Sequence, residues 1–363
     1  MKRIICAILA VIMLVFLCAC TSGEYAMKYG DTEISQNEYL YWLSSYKAVF
    51  LTYYLGGSDT EDAWGLQIAD NGTTVEDLLE NVAKENIKNN LVCMELFDNL
   101  GLKLDKETTE EVETYISELT EQAGGKDALN SALSAYGVND KLLKQIYMNE
   151  KKIQAAKDAL FAEGGELALT DEEREEYFED KYVRVKHIYI NTIKDFARDD
   201  EGDLIIDSDT GTYKTRDLTD EEKAEKTALA ESINASLLTG ADFDELMGEY
   251  SADTNMAKYT DGYYVTSNSA HLPSALVEKA FTMKDGDTAY VESEIGIHII
   301  KREPLIKGAY ADENYSVFFS DFETTLTNTA LSNYLSKLTP DVEVNDELVG
   351  AFTLRTCTAN YSY

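Results

Sequence analysis

The chain has little of what many binding chemistries require. Its 363 residues include 32 lysines and arginines against 67 acidic residues, and only 3 histidines and 3 prolines. A formal net charge of −35 argues against nucleic-acid binding, which needs clustered Lys and Arg on phosphates. It also argues against docking on anionic lipid through a basic patch. The first proline is Pro273, so the preceding three quarters of the chain are free to form long helices.

Several chemical motifs are also absent from the sequence. There is no glycine-rich phosphate loop, no CxxC or HExxH pattern and no GxSxG pattern. With only three histidines, a histidine-based metal site would have few ligands to draw on. We therefore expect neither a bound metal nor a cofactor.

The N-terminus has the pattern of an export signal. Lys2 and Arg3 precede an apolar run over residues 4–16. That run is too short to span a bilayer comfortably, which favours a secretory signal over a transmembrane helix. We predict that residues 1–19 are a signal peptide, whose removal would make the net charge two units more negative.

Residues 17–20, Leu-Cys-Ala-Cys, resemble the lipobox of bacterial lipoproteins. In that family the signal is cut before the cysteine and the thiol receives a diacylglyceryl group. The resemblance implies lipidation at Cys20, with residues 20–26 as the tether and the protein on the extracytoplasmic face of a bacterial cell membrane. The alternative is an ordinary cleavage site followed by an unmodified cysteine.

Two cysteines remain beyond the signal region. Cys93 lies in an apolar helical stretch, where a buried free thiol is the usual state. A disulfide between Cys93 and Cys357 is the alternative in an extracytoplasmic protein.

The first half of the chain is predicted to be helical, from its amphipathic spacing and its capping residues. The predicted helices run from Ser35 through Phe50, Thr74 to Gly101, Lys106 to Gln122, Asn139 to Phe161, and Thr170 to Tyr182. An aromatic stripe over residues 39–54 is either core, as this spacing more often means, or the lining of a client-binding groove.

The pattern changes at residue 182. Residues 183–190 alternate and are rich in β-formers, which predicts a strand, and Glu221 to Leu238 is predicted to be a helix. Further strands are predicted at residues 290–291 and 296–301. Residues 311–338 are predicted to be helical again, followed by a short strand over residues 341–344.

The middle block resembles the parvulin (PpiC-type) peptidyl-prolyl isomerases. Residues 183–190 resemble that family's first strand, and residues 240–253 its GxDFxxLAxxYSxD segment. Residues 272–281 resemble the helix that follows, and residues 286–300 the closing strand, in which Gly-Ile-His-Ile-Ile is almost unaltered. The motifs cover about 120 residues and stand in the family's order.

The resemblance implies a catalytic set and a substrate-binding set. The implied catalytic residues are two stacked histidines, an acid beside the bound carbonyl and a hydroxyl on the second histidine: His187, His298, Asp253 and Ser293. The implied substrate-binding residues form the proline cup and its surroundings: Leu272, Leu276, Tyr264 and Phe281.

The sequence departs from the family in two places. Residues 259–264 lack the paired glycines of the family's GGDLGWF segment, and the usual Met and Phe of the cup are Leu272 and Leu276. Both changes weaken the case for activity more than the case for the fold. His271, next to the cup, matches nothing essential and is expected at the surface.

An insertion of about 25 residues separates the first strand from Glu221. Within it, residues 207–211 resemble the start of a calcium loop but lack the third acidic ligand before the glycine. A hairpin turn is the better interpretation. Lys194 and Arg198 are outnumbered by acids here, so a phosphorylated substrate is not expected. The role of residues 193–218 is open.

The blocks on either side of the parvulin region resemble the PrsA/SurA-type foldases, in which these blocks pack into one chaperone domain. The fold class implied is α+β: a helical chaperone domain made from N- and C-terminal segments, with an inserted parvulin domain that has a four-stranded antiparallel sheet flanked by helices. The implied parts are residues 27–180 and 305–350 for the helical domain, 181–304 for the parvulin domain and 351–363 for a tail.

These features predict a membrane-anchored isomerase and chaperone that acts on unfolded or nascent exported proteins containing X–Pro bonds. By analogy, it would form a homodimer through its N-terminal helices. The alternative is a holdase whose parvulin domain binds peptides with little or no turnover. A solute-binding lipoprotein fits poorly, because the helical first half does not supply its strand–helix repeats.

Overall fold

The computed structural model describes residues 24–363, which divide into two compact units. We call residues 24–168 together with 327–363 the helical unit, and residues 169–326 the sheet unit. The predicted signal peptide and Cys20 lie outside the described residues. Within residues 24–363, no helix combines the length and the apolar character that crossing a membrane requires.

The helical unit contains six helices before residue 168, most of which begin at a side-chain cap. They are α1 Gln36–Tyr53, α2 Glu61–Trp64, α3 Val75–Asn99, α4 Lys106–Gln122, α5 Lys126–Leu133 and α6 Asp140–Phe161. Thr74 and Asp77 form a reciprocal capping box at α3, as the sequence predicted. Helix α5 was not predicted, because its eight residues are too few to show a clear period.

The two ends of the chain meet in a small antiparallel sheet. Strand β1 (Met27–Tyr29) pairs with β2 (Thr32–Ile34) on one side and with β9 (Glu343–Val344) on the other. The C-terminal segment also supplies α12 (Asp346–Val349) and buries Leu354 and Cys357 in the core of this unit. The helical unit is therefore built from both ends of the chain, as predicted.

The aromatic stripe of α1 is mostly core. Tyr39, Trp42 and Phe50 are buried in the helical unit, whereas Tyr53 and Tyr54 at the end of the helix are 78% and 70% exposed. Cys93 and Cys357 are both buried and both free, so the alternative of a disulfide is not realised.

The sheet unit is organised around a four-stranded antiparallel sheet in the order β6-β3-β8-β7. The strands are β3 Val183–Ile190, β6 Tyr263–Val265, β7 Thr288–Ser293 and β8 Gly296–Glu303. The helices of the unit are α7 Asp171–Lys181, α8 Asp220–Leu238, α9 Phe243–Tyr250 and α10 Ser274–Thr282. The long helix α11 (Phe322–Leu335) begins in this unit.

The sheet unit extends beyond the predicted domain of residues 181–304 on both sides. The cause is an aromatic cluster in which Phe178 of α7, Tyr264 of β6, Phe319 and Phe322 pack together and are buried. The helix predicted from residue 311 begins only at Phe322. Residues 309–311 and 313–318 form short 3-10 turns instead.

The insertion, residues 193–218, contains short antiparallel pairings. Strands β4 (Lys194–Phe196) and β5 (Thr215–Asp217) pair antiparallel, and Ile206 pairs with Tyr213 across the turn that had resembled a calcium loop. The Asp207 carboxylate accepts hydrogen bonds from the backbone N–H groups of Asp209 and Thr210. The hairpin interpretation of this turn is confirmed.

Candidate functional site

The register of the two central strands brings the two histidines of the parvulin-like motifs to one face of the sheet. His187 of β3 lies opposite Ile300 of β8, and Tyr189 lies opposite His298. Since side chains alternate across a strand, His187, Tyr189 and His298 share a face. The two imidazole rings stack with centroids 5.4 Å apart, and the Tyr189 ring stacks on His298 at 5.0 Å.

A continuous line of hydrogen bonds runs through the two histidines. Asp253 Oδ2 lies 2.6 Å from His187 Nε2, and His187 Nδ1 lies 3.2 Å from His298 Nδ1. The line ends at Ser293 Oγ, 2.9 Å from His298 Nε2. The Tyr263 hydroxyl also donates to Asp253 Oδ2, at 2.6 Å. The four residues that the parvulin resemblance implied as catalytic therefore form one connected group.

The electrostatics of this line are set by burial and by its internal hydrogen bonds. Burial raises the pKa of Asp253, but donation from His187 and Tyr263 outweighs burial and holds that pKa at about 2. Burial, with a smaller contribution from His187, lowers the pKa of His298 to about 4. At neutral pH Asp253 is thus an ionised acceptor and His298 is uncharged.

The ionised Asp253 fixes one end of the line, because it requires a proton on His187 Nε2. At the other end, Ser293 Oγ lies 2.9 Å from His298 Nε2, and its hydroxyl donates to the Gly296 carbonyl oxygen at 3.1 Å. Each buried ring nitrogen has a partner, so the network fixes both rings.

The network forms part of the wall of an open cleft of about 600 Å³. Ala252 and the polar Thr254 and Asn255 also line the cleft, next to Asp253. The other lining residues are mainly aromatic and apolar side chains: Tyr189, Tyr259, Tyr263, His271, Leu272, Pro273, Ile295, Val317 and Phe318. A cleft with an apolar lining and one ionised group matches a ligand that is largely apolar and carries a polar amide.

Of the four predicted substrate-binding residues, one lines the cleft and three do not. Leu272, in the loop before α10, lines the cleft. Leu276 is fully buried in the core of the sheet unit, and Phe281 is half-buried against the same core. Tyr264 is buried in the aromatic cluster on the other side of β6, because it alternates with Tyr263, which faces the cleft.

Other lining residues were not predicted. His271 is exposed at the surface, as expected, but one side of its ring lines the cleft, and this partial desolvation lowers its pKa. Tyr263 could have been found from its alternation with Tyr264 on a short strand. Val317 and Phe318 carried no signal, because they lie beyond the closing strand, where only a helix was expected.

The site shows no arrangement suited to a metal. Among residues 24–363 there is no group of three or more His, Cys, Asp or Glu side chains placed to hold a metal ion. The cleft offers a shaped apolar surface, the ionised carboxylate of Asp253 and fixed hydrogen-bonding groups.

Comparison with known proteins identifies the region around the cleft. Residues 179–303 match the family model described as the PPIC-type PPIASE domain, so this part of the chain is a parvulin domain. The match covers the central sheet and the histidine network. It ends before Val317 and Phe318. No curated protein sequence matches the chain.

Solved structures with similarity to the chain include PrsA from Bacillus subtilis, at 22% identity and a TM-score of 0.24, covering 77% of this chain and 93% of that one. The foldase protein PrsA from Streptococcus pneumoniae has 17% identity and a TM-score of 0.25, with coverages of 78% and 92%. A solved structure from Campylobacter jejuni, described as that of a SurA-like chaperone, has 14% identity and a TM-score of 0.21, covering 76% of this chain and 95% of that one. Similarities this weak carry no argument of their own.

Proposed function

We propose that this chain is a peptidyl-prolyl cis-trans isomerase that assists the folding of exported proteins. The observation that carries the proposal is the cleft of the parvulin domain, in which Asp253, His187, His298 and Ser293 form one hydrogen-bonded line beside an apolar wall. Such a site suits a reaction that breaks no covalent bond.

The reaction has one physical obstacle. Rotation about an X–Pro bond has a barrier of about 18–20 kcal/mol, because the planar amide is stabilised by resonance that the twisted transition state loses. Resonance also places partial negative charge on the carbonyl oxygen. A group that disfavours this charge raises the energy of the planar amide more than that of the twisted one and so lowers the barrier to rotation.

Asp253 is suited to this task. Its low pKa keeps it ionised, and its carboxylate is fixed in the cleft wall by His187, by Tyr263 and by the backbone N–H of Asn255. A carboxylate near the substrate carbonyl oxygen repels the charge of the planar amide more than that of the twisted amide. The apolar wall supplies the complementary contact with the proline ring. His298 and Ser293 act through His187, as positioning residues.

The chaperone part of the proposal is supported by the surface of the helical unit. Large apolar side chains there are exposed to solvent: Val49, Tyr53, Tyr54, Leu66, Ile68, Leu78 and Val82. Exposed apolar side chains are the groups that bind unfolded chains. The signal pattern and Cys20 support a lipid anchor on the extracytoplasmic face of the membrane, where clients would be nascent or unfolded exported proteins.

The proposal is tested by exchange spectroscopy on a proline-containing peptide with micromolar full-length protein. The natural chain should accelerate cis-trans exchange, and Asp253→Asn should lower kcat/KM by about tenfold or more, because it removes the charge and keeps the shape. The matched control is Asp285→Asn, which loses an exposed carboxylate that pairs with Arg302 outside the cleft. It should exchange the peptide at the natural rate.

The same preparations should be assayed for suppression of client aggregation. Acceleration by the natural chain that Asp253→Asn weakens, with suppression kept, supports the proposal. If the natural chain leaves the exchange rate unchanged and still suppresses aggregation, the isomerase assignment fails and the alternative holdase function takes its place.

A further inference from the structure

The cleft of the parvulin domain has a wall that the domain itself does not supply. Val317 and Phe318 line the cleft and end the 3-10 turn Glu313–Phe318, which follows the family region of residues 179–303. Val317 is 60% exposed and Phe318 is half-buried, so both retain surface that a ligand could cover.

Phe318 is held in place by aromatic packing. Its ring centroid lies 4.9 Å from that of Tyr259 and 5.7 Å from that of Tyr263, both edge-on or tilted. It also contacts His271 at 6.4 Å. Tyr263 in turn donates to Asp253, so Phe318 lies one side chain away from the carboxylate of the hydrogen-bonded line.

The parvulin domain itself places no aromatic cup residue in the cleft, and Val317 and Phe318 lie where an apolar surface is missing. Leu276, the residue that matches the usual aromatic of the cup, is fully buried in the sheet core and does not line the cleft. Of the matched pair, only Leu272 lines the cleft. The cleft needs a further apolar surface for a proline ring, and Phe318 is the phenylalanine among its lining residues.

We propose that Val317 and Phe318 form the apolar wall against which the substrate's proline ring and its neighbouring apolar side chain pack. Substrate specificity would then be set partly by a segment outside the family domain. This inference rests on the proposed function for its substrate class, an X–Pro peptide with an apolar residue next to the proline.

The decisive comparison uses Val317→Asp and Ser316→Asp in the full-length chain. Val317→Asp places a carboxylate in the wall at an exposed position, so the fold is not at risk. Ser316→Asp adds the same charge one residue away on an exposed residue that does not line the cleft. Peptide binding is measured by NMR titration of an uncharged X–Pro peptide, and turnover by exchange spectroscopy at several peptide concentrations.

We expect Val317→Asp to weaken peptide binding by about tenfold, the loss that corresponds to uncovering some tens of Å² of apolar contact. Ser316→Asp should bind the peptide as the natural chain does. Phe318→Ala should raise KM by a similar factor, and Phe318→Leu, which keeps an apolar side chain, should recover most of the loss. A role limited to positioning Tyr263 would instead lower kcat with KM unchanged.

The outcomes separate this inference from the proposed function. The inference is wrong if Val317→Asp and Phe318→Ala both bind the peptide as the natural chain does. It is also wrong if Phe318→Ala exchanges the peptide faster, because Phe318 would then block the cleft and not bind substrate. If the natural chain does not turn over the peptide, the proposed function fails. The binding titration still decides whether Val317 and Phe318 contact the proline-containing ligand.

Discussion

Asp253 is the residue at which the polar groups of the cleft converge. Two donors, His187 Nε2 and the Tyr263 hydroxyl, share its Oδ2 atom, each at 2.6 Å. Hydrogen bonds to a charged group are stronger than neutral ones, and removing one leaves the charge less well solvated. The state of this single carboxylate therefore depends on side chains from β3 and β6.

Tyr263→Phe should expose this dependence. The change keeps the ring in the cleft wall and removes one donor, so the pKa of Asp253 should rise from about 2 toward its ordinary value. The free energy of unfolding of the sheet unit at pH 7 should fall by about 1–2 kcal/mol. Amide hydrogen exchange of β3 and β8 measures the loss.

Tyr259→Phe is the matched control for that experiment. Tyr259 lines the same cleft and packs on Tyr263 and Phe318, but its hydroxyl makes no side-chain hydrogen bond among the described residues. Its removal should leave β3 and β8 exchange unchanged. Equal losses of exchange protection in Tyr263→Phe and Tyr259→Phe would contradict this prediction. They would mean that the hydrogen bond from Tyr263 to Asp253 contributes no stability of its own.

At the scale of the element, helix α1 combines two roles along its length. Its first four turns bury Tyr39, Trp42 and Phe50 in the helical unit, whereas its end carries the exposed Tyr53 and Tyr54. The interpretation of the stripe as core therefore holds for the buried part of the helix, and the client-binding interpretation stays a prediction for its exposed end. The buried part is explained by helical spacing. At the exposed end the Tyr54 ring packs edge-on against Phe50, with ring centroids 6.0 Å apart, while most of Tyr53 and Tyr54 faces solvent.

We expect the exposed end of α1 to contact unfolded clients. Replacing Tyr53 and Tyr54 together by Ser should weaken aggregation suppression severalfold, because two large apolar side chains are lost. Stability should change little, since both are mostly exposed. The control is Tyr361→Ser, which removes an equally exposed tyrosine from the C-terminal segment.

The double variant should exchange a short proline peptide at the natural rate, because it lies in the other unit from the cleft. If aggregation suppression is unaffected by Tyr53→Ser with Tyr54→Ser, or falls equally in Tyr361→Ser, this end of α1 is not a client contact.

At the scale of the whole molecule, one buried titratable group in each unit makes stability depend on pH, and the two groups, Glu38 and His298, act in opposite directions. In the helical unit, burial raises the pKa of Glu38 from 4.5 to about 7, although Asn149 donates to its carboxyl at 2.9 Å. The folded unit then holds a proton that the unfolded chain releases, so its stability falls as pH rises from 4.5 to 7.

The sheet unit behaves in the opposite sense through His298. Burial lowers the pKa of His298 in the folded unit to about 4 from its ordinary value of 6.5, so between these values the unfolded chain binds a proton that the folded unit does not. The stability of this unit therefore falls as pH drops from 6.5 to 4. Each effect is of the order of 3 kcal/mol over its range.

The two tryptophans allow the units to be followed separately. Trp42 and Trp64 are both buried in the helical unit, so tryptophan fluorescence in urea reports on that unit alone. Hydrogen exchange of β3 and β8 reports on the sheet unit. Glu38→Gln should remove most of the decline of the helical unit toward pH 7 and leave the sheet unit unchanged.

The exposed Glu110 offers a matched control, because Glu110→Gln removes a carboxylate of the same unit that pairs only at the surface. It should keep the natural pH profile. A helical unit whose stability is flat between pH 4.5 and 7 in the natural chain would contradict the raised pKa of Glu38.

Local sequence patterns were enough to predict the elements whose formation depends on neighbouring residues. Side-chain caps and apolar period placed the helices beginning near Thr74, Lys106 and Asn139, and alternation placed β3 from Val183 to Ile190. The ordered parvulin motifs placed His187, Asp253, Ser293 and His298 in one site, since each motif fixes its residue on a particular strand or turn.

The rest of the cleft lining depends on packing between segments that are distant in the sequence, and local patterns did not predict it. Whether Tyr263 or Tyr264 faces it depends on which side of β6 packs on the aromatic cluster. Leu276 is buried in the core of the sheet unit. Phe318 lines the cleft, although it lies more than 50 residues beyond Tyr263 along the chain. The spacing of apolar residues in the sequence predicts a helix or a strand. It does not predict which distant side chain packs beside that element, because this depends on the close packing of the whole unit.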